Sequence, residues 1–416
     1  MRSWSVWVLA VCLAGCDADG MARREDGGPG DSSDAAEPVD AAADGDGGGA
    51  DAGSSDDAGG GALGDAGAVD AGTMPTEGDA GPLDGGAASD AGLTPTLPPT
   101  YAQVRTFAGS GARGSVDGAA SVATFSEPTG LAFTATGDLL VVDRGSGRIR
   151  SVSPAGDVRT LSLAGESLRG PHGIAVGGDG AVYVSDADDH CIRRIDGGTV
   201  RVWSGVCGTR GFADGDRTSA RFDRPRQLAL DGMGRLWVAD GTQGLVRRIA
   251  ADGSVVTVAG TPDALTSTLF LDAPLPGALY FPWGVGVAAD GTVLVGGQDA
   301  CVRRVAGGRV ERLAGQCGNF GNTGLVDGAG PTARFAWVRA LLVAPWGTLL
   351  VADAANHAVR TVAADGAVAT LTGGAAEFAD GPLAMARFRE PSGLALDAAG
   401  RLYVADSQNQ RIRRID

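Results

Sequence analysis

Lysine is absent from this sequence and histidine nearly so: all 34 basic residues are arginine, and the histidines are His172, His190 and His357. So few imidazoles leave little room for acid–base chemistry, and no Ser-His-Asp order, Gly-rich phosphate loop or zinc-ligand spacing can be found. Long apolar runs are missing as well. The one candidate, Trp4 to Leu13, is too short to cross the ~30 Å of a bilayer core as a helix, which excludes a permanent helical span. Excess charge is missing from the part that carries hydrophobic pattern. Residues 17–99 hold sixteen Asp, three Glu and two Arg, a net of −17, which leaves 31 Arg against 31 acids from Thr100 on. The acidity of the chain therefore belongs to its first quarter, and the remainder has no charge bias that would call for nucleic acid.

Residues 1–16 read MRSWSVWVLAVCLAGC. One positive charge, a short apolar run and small residues form a secretory signal, not an anchor. Its last four residues, Leu13-Ala14-Gly15-Cys16, resemble the lipobox of bacterial lipoproteins. That resemblance implies a lipidated Cys16, with several acyl chains holding the protein on a membrane of the bacterial cell envelope, at its periplasmic or cell-surface face. Residues 17–100 are Ala, Gly, Asp, Ser, Pro and Thr almost throughout, with DAG recurring at 51–53, 65–67, 70–72, 79–81 and 90–92. Such a segment has no apolar surface to offset the entropy of ordering, and reads as a disordered linker. Its 84 residues would span roughly 50 Å.

Residues 101–416 repeat at a spacing of 43 to 57 residues, with copies aligned through Pro128, Pro171, Pro225, Pro282, Val338 and Pro391. Fifteen residues after each lies Asp143, Asp186, Asp240, Gly297, Asp353 or Asp406. Short runs rich in branched and aromatic residues, such as GLALD, RLYVAD and RIRRI in the last copy, alternate with Gly and Asp turns, which is strand grammar. A fourth run follows in each of the first five copies, as Val158–Leu161, Val200–Trp203, Val256–Val258, Val310–Leu313 and Val368–Leu371. Four strands make a blade, and blades bury their faces only by stacking radially. The sixth copy ends at Asp416 after its third strand, while an unmatched fourth-type run, Val104 to Gly109, opens the domain. The expected fold is thus an all-β, six-bladed propeller whose N-terminal strand closes the last blade.

The stretch Asp353-Ala354-Ala355-Asn356-His357-Ala358-Val359 resembles the motif of the NHL repeat family, and Asp186 to Cys191 and Asp406 to Arg411 are variants of it. The resemblance covers residues 101–416 and implies a propeller that serves as a binding platform, a sensor or, in some relatives, an enzyme.

Four cysteines follow the signal, and each pair, Cys191 with Cys207 and Cys301 with Cys317, brackets a hairpin turning at Gly197-Gly198 or Gly307-Gly308. Two disulfides within blades are expected, because thiols in alternate blades cannot converge on a metal. Residues repeated in every copy read as structural. The Asp that ends the second strand would tie its own turn, together with Asn356 or Asn409, and Asp117, Asp214, Asp327 and Asp380, each followed by Gly, would form turns between blades. These acids would make one face acidic enough to admit Ca²⁺ or another divalent ion, although no EF-hand spacing is present and no cofactor is required.

Unlike residues gather at one place only, beside the aligned prolines. Thr129, His172, Arg226, Trp283, Arg339 and Ser392 follow that position; Glu127, Gly170, Arg224, Phe281, Trp337 and Glu390 precede it. Arginine and tryptophan are effective contact anchors, so Arg226, Trp283, Trp337 and Arg339, with His172, Glu127 and Glu390, form the candidate ligand site. The expected partner is a protein, peptide or glycan at the cell envelope. The alternative is metal-dependent lactonase-like or lyase-like hydrolysis around Glu127, His172 and Glu390. Against it, the inner strands read GLAF, GIAV, QLAL, GVGV, ALLV and GLAL, which hold no ligands.

Overall fold

In the computed structural model, residues 100–262, 272–318 and 322–416 are described. The signal segment, Cys16 and the linker before residue 100 lie outside them. The described chain forms six sheets, each ordered from an inner strand outward and antiparallel except where Ala164–Gly165 runs parallel to Thr199–Ser204 at the edge of one of them. The inner strands are Pro128–Phe133, Pro171–Val176, Pro225–Leu230, Pro282–Val287, Val338–Val343 and Pro391–Leu396, one for each blade, numbered 1 to 6 in chain order. Strand Gln103–Ala108 lies against Arg411–Ile415 with Val104 opposite Ile415 and Thr106 opposite Arg413, so the first ordered strand completes blade 6.

Alternation of apolar and polar residues gives each sheet two faces, and both are covered because every blade stacks on two neighbours. Six apolar clusters result, one in each seam. The seam of blades 2 and 3, for example, joins Tyr183, Ile192 and Trp203 to Phe222, Leu228 and Val238. The seam of blades 6 and 1 joins Tyr403 and Ile412 to Phe125, Leu139 and Val141. In such an arrangement no blade has a core of its own, and stability is shared between neighbours.

The arginines of the third strands were not singled out by the repeat pattern, yet they organise it. Arg150, Arg247, Arg360 and Arg413 are fully buried. Each guanidinium reaches the Asp that ends the second strand, at 3.1 Å for Asp143, 3.0 Å for Asp240, 2.8 Å for Asp353 and 2.8 Å for Asp406. Each also meets the Asp of the preceding Asp-Gly loop, namely Asp117, Asp214, Asp327 or Asp380. The guanidiniums lie over the rings of Phe125, Phe222, Phe335 and Phe388, 4.9 to 5.3 Å from their centroids.

Two expectations are corrected by this lattice. The Asp ending the second strand does not chiefly tie its own turn: it accepts the backbone N–H of Ser126, Gly170, Asp223, Ala336 or Arg389, sixteen or seventeen residues earlier, at 2.5 to 2.7 Å. The bonds from Ser146, Asn356 and Asn409, each three residues on, at 2.7, 2.8 and 2.9 Å, do follow the local pattern. The Asp-Gly loops, expected to be acidic, are neutralised by the third-strand arginines, because a buried guanidinium must be matched by charge where it lies.

Blades 2 and 4 depart from the lattice together. Arg193 lies 3.4 Å from Asp186 and adds a pair with Asp189, whereas Arg303 pairs with Asp299; both added acids stand two residues before a cysteine. The disulfides Cys191–Cys207 and Cys301–Cys317 form in these two blades, as expected, each closing a separation of 16 residues. Each contributes roughly 3 kcal/mol by restricting the unfolded chain. The fourth copy, which lacks Asp at position 297, thus recovers its carboxylate at Asp299.

Candidate functional site

The inner strands run so close to one another that side chains are excluded where they begin. A β-carbon on Gly393 would lie 1.8 Å from the carbonyl oxygen of Thr129, and one on Gly173 would lie 2.3 Å from that of Arg226. At the equivalent position blade 3 has Gln227, whose side chain crosses the channel. Its Oε1 accepts the N–H groups of Val285 and Leu341, both at 3.0 Å, and its Nε2 donates to the Leu341 carbonyl at 2.8 Å. Gln227 therefore ties blades 3, 4 and 5 together from inside. The remaining channel is a cavity of ≈ 260 Å³ lined by His172, Gln227, Arg339, Ser392 and apolar residues of the inner strands.

The residues preceding the inner strands hold an unusual backbone. Glu127, Arg224, Phe281, Trp337 and Glu390 all have positive φ, between 40° and 58°. Side chains rarely adopt this region, and the strain persists only where the surroundings over-determine it. Here they do: Gln410 Oε1 accepts the N–H of Glu127 at 2.7 Å, and Nδ1 of His190 and His357 accept those of Arg224 and Glu390 at 3.2 Å. Both histidines therefore serve the frame as inter-blade caps, which accords with their place in the repeat's turn.

The structure brings most of the candidate residues into one group. Trp283 is buried, with Arg226 5.0 Å and Arg339 4.9 Å from its ring centroid. Trp337 lies 6.2 Å from Trp283 and within 6.0 Å of Arg339. Arg339 pairs with Glu390 at 3.0 Å. Glu127 takes Arg113 at 2.8 Å and Arg144 at 3.4 Å. His172 is 7 % exposed and lines the channel, and among the described residues its ring has no hydrogen-bond partner. Burial, and then the nearby Arg226, Arg144 and Arg339, hold its pKa well below the ordinary imidazole range, so the ring is neutral. Thr129 and Ser392 face neighbouring blades instead, donating to the carbonyls of His172 at 2.8 Å and Pro128 at 3.1 Å.

Arg144, like Gln227, is a residue that the sequence reading missed. It follows Asp143, and the residues in that place, Arg144, Ala187, Gly241, Gln298, Ala354 and Ser407, vary as much as those beside the prolines. Comparing that second ring would have found it.

This donor set does not suit a divalent cation. Each glutamate at the mouth is held by arginine, so neither carboxylate is left to ligate a cation. The lining has no carboxylate among the described residues.

The family profile of the NHL repeat matches residues 168–195 and 388–415, in blades 2 and 6, so the chain carries repeats of that type. The protein is similar to SUPPRESSOR OF QUENCHING 1, a chloroplastic protein of Arabidopsis thaliana, at 27 % identity over 274 residues, which cover 59 % of this chain and 25 % of that one. The match thus spans about a quarter of the plant protein. Among solved structures, an auxiliary nutrient binding protein from Bacteroides thetaiotaomicron superposes with a TM-score of 0.59 at 17 % identity, covering 76 % of this chain and 77 % of that one. A gluconolactonase from Xanthomonas campestris superposes with a TM-score of 0.50 at 17 % identity, covering 76 % and 89 %. At such identities the likeness is one of fold, and the fold is shared by binding proteins and enzymes alike.

Proposed function

We propose that this protein is a lipoprotein of the bacterial cell envelope, anchored through Cys16, whose propeller captures a ligand at the channel mouth without catalysis. One observation carries the binding part. On a scaffold that repeats six times, Arg226, Trp283, Trp337 and Arg339 break the repeat and stack into one group, and Arg339 and His172 line the channel cavity, whereas repeated residues are absorbed by the frame. The likeness in fold to a nutrient binding protein agrees with such a role. The anchoring part rests on residues 1–16 alone.

The mouth is a packed stack, and this decides how it should be probed. Replacing Arg226, Trp283 and Arg339 together would empty a buried cluster and destabilise the domain by several kcal/mol. A gentler probe is a photo-crosslinking amino acid at Trp337, which is half-buried at the mouth, compared with one at Met233, an exposed residue in the turn after the same kind of inner strand at its other end. In intact cells adducts should form at position 337 and not at 233; equal labelling of both would reject the mouth as the contact surface. For the anchor, Cys16→Ser should abolish incorporation of labelled palmitate and move the protein from the membrane to the soluble fraction. Unchanged labelling would refute lipidation at Cys16.

A further inference from the structure

A cavity of ≈ 670 Å³ lies at the end of the ring away from the mouth, where the inner strands finish, in the seam of blades 4 and 5. Its walls include Val287, Leu294, Leu313, Val343, Leu349 and Val362. Folded interiors are normally close-packed, and the repeat explains why this seam is open. In the seam of blades 6 and 1 the corresponding positions hold Tyr403, Phe107 and Phe133, whose rings meet edge-on at 4.9 and 5.0 Å. Blades 4 and 5 have Leu294, Leu313 and Val343 there instead. Two other seams are equally aliphatic at these positions, and each is filled from outside the strand pattern. Leu163 and Leu168 pack into the seam of blades 1 and 2, and Tyr101 with Trp346 into that of blades 5 and 6. Among the described residues nothing does this for blades 4 and 5.

The described chain begins at this same end. Tyr101 Oη donates to the carbonyl of Gly400 at 2.9 Å, in the turn after the inner strand of blade 6, and its ring shares a cluster with Trp346. Trp346 stands in the turn whose Ala344, Pro345 and Gly347 line the cavity. One blade, ~10 Å thick, therefore separates Tyr101 from the open seam. The residues just before it, Leu93-Thr94-Pro95-Thr96-Leu97-Pro98-Pro99, are the longest run of residues 17–99 without alanine, glycine or an acid. A proline-rich chain advances ~3.1 Å per residue, so the seven reach roughly 20 Å, enough to cross that blade. The polar residues of the cavity call for no charged occupant. Asp231 is bonded to Arg235 and Trp237 at 2.7 and 2.9 Å, Asp290 accepts the N–H of Thr292 at 2.9 Å, and Arg304 pairs with Glu311 at 2.9 Å. We infer that residues 93–99 of the same chain dock on this cavity, with Leu97 and Leu93 set against Leu294, Leu313 and Val343 where other seams have their rings. Docking there fixes the place at which the linker leaves the propeller, at the end opposite the ligand site, and it holds whatever the mouth binds.

The test uses the full chain, as an equal mixture of isotope-labelled and unlabelled protein, with p-benzoylphenylalanine in place of Thr96 so that both leucines stay. A second preparation carries it in place of Ala87. After irradiation and digestion, position 96 should give adducts on residues 287–294 of blade 4 within one chain, and position 87 should not. Leu93→Ser with Leu97→Ser leaves the described domain untouched and the chain length the same, and should cut that yield about tenfold by removing the apolar contacts. An undiminished yield from the serine variant would mean that nearness of the chain end alone makes the adduct, and the inference would fall. Adducts joining labelled to unlabelled chains would assign the cavity to a second copy and overturn it as well. So would a failure of position 96 to label residues 287–294.

Discussion

Replacing Arg360 with alanine should lower the stability of the propeller by about 3–5 kcal/mol, the cost of removing one partner from a buried ion pair. The melting temperature should fall by roughly 6–10 °C, given how large domains convert free energy into temperature. The reason is the number of groups that this one side chain satisfies. Its guanidinium bonds to Asp353 at 2.8 Å, to Asp327 at 2.6 Å, and to the carbonyls of Arg334 at 3.1 Å and Val326 at 3.0 Å. It also stacks on Phe335 in the seam. Exposed Arg159, whose ion pair with Asp138 spans 3.6 Å, gives the comparison: Arg159→Ala should cost less than about 1 kcal/mol.

The loss should depend on pH. Burial pushes the Asp353 carboxyl up to about 6, against the pull of Asn356, the Ala336 N–H and Arg360. Without Arg360 it rises further. A carboxyl raised in the folded state favours its protonated form there, so its contribution is retained below the unfolded value of about 3.9 and lost as pH climbs through the folded one. Arg360→Ala should therefore be more damaging at pH 8 than at pH 5. Thermal unfolding of both variants at the two pH values tests this. A loss no greater than that of Arg159→Ala would show that the lattice of arginines is ornamental.

Deleting residues 101–109 should have the other large effect. Val104 and Ala108 are buried, and Phe107 meets Tyr403 edge-on at 4.9 Å. The strand also completes the hydrogen bonds of Arg411–Ile415, and Asp380 of the same loop system bonds Thr106 Oγ1 at 2.9 Å. Losing one buried valine, its neighbours and several ladder bonds amounts to roughly 5 kcal/mol or more. It also leaves an uncovered edge strand that would pair with other chains. The shortened protein should aggregate or be cut by protease at temperatures the parent withstands, and a peptide of residues 100–110 added in trans should restore resistance. Melting of the shortened domain at the parent's temperature would overturn the closure on which the ring depends.

How far the site was legible varies from residue to residue. Arg226, Trp283, Trp337, Arg339 and His172 stood out because they break a repeat, and a ring of blades brings equivalent positions to one place. That Trp283 is buried between two arginines was not legible, since only the neighbouring blades cover the start of its strand. Arg144 and Gln227 were overlooked for opposite reasons: Arg144 follows an Asp that draws attention as structural, and Gln227 sits in an inner strand read for metal ligands only. Its true partners, Val285 and Leu341, are 58 and 114 residues away.

The number of blades, the borrowed strand and the two disulfides were determined by the sequence alone, because strand alternation, turn residues and hairpin spacing act over short stretches of chain. Tertiary structure alone decided which charges are buried and what matches them. The pairing of Arg360 with Asp327 joins residues 33 apart, and the neutral state of His172 is set first by burial and then by arginines from three other blades. Desolvation and Coulomb interaction depend on distance in space, and the closing of the ring sets those distances.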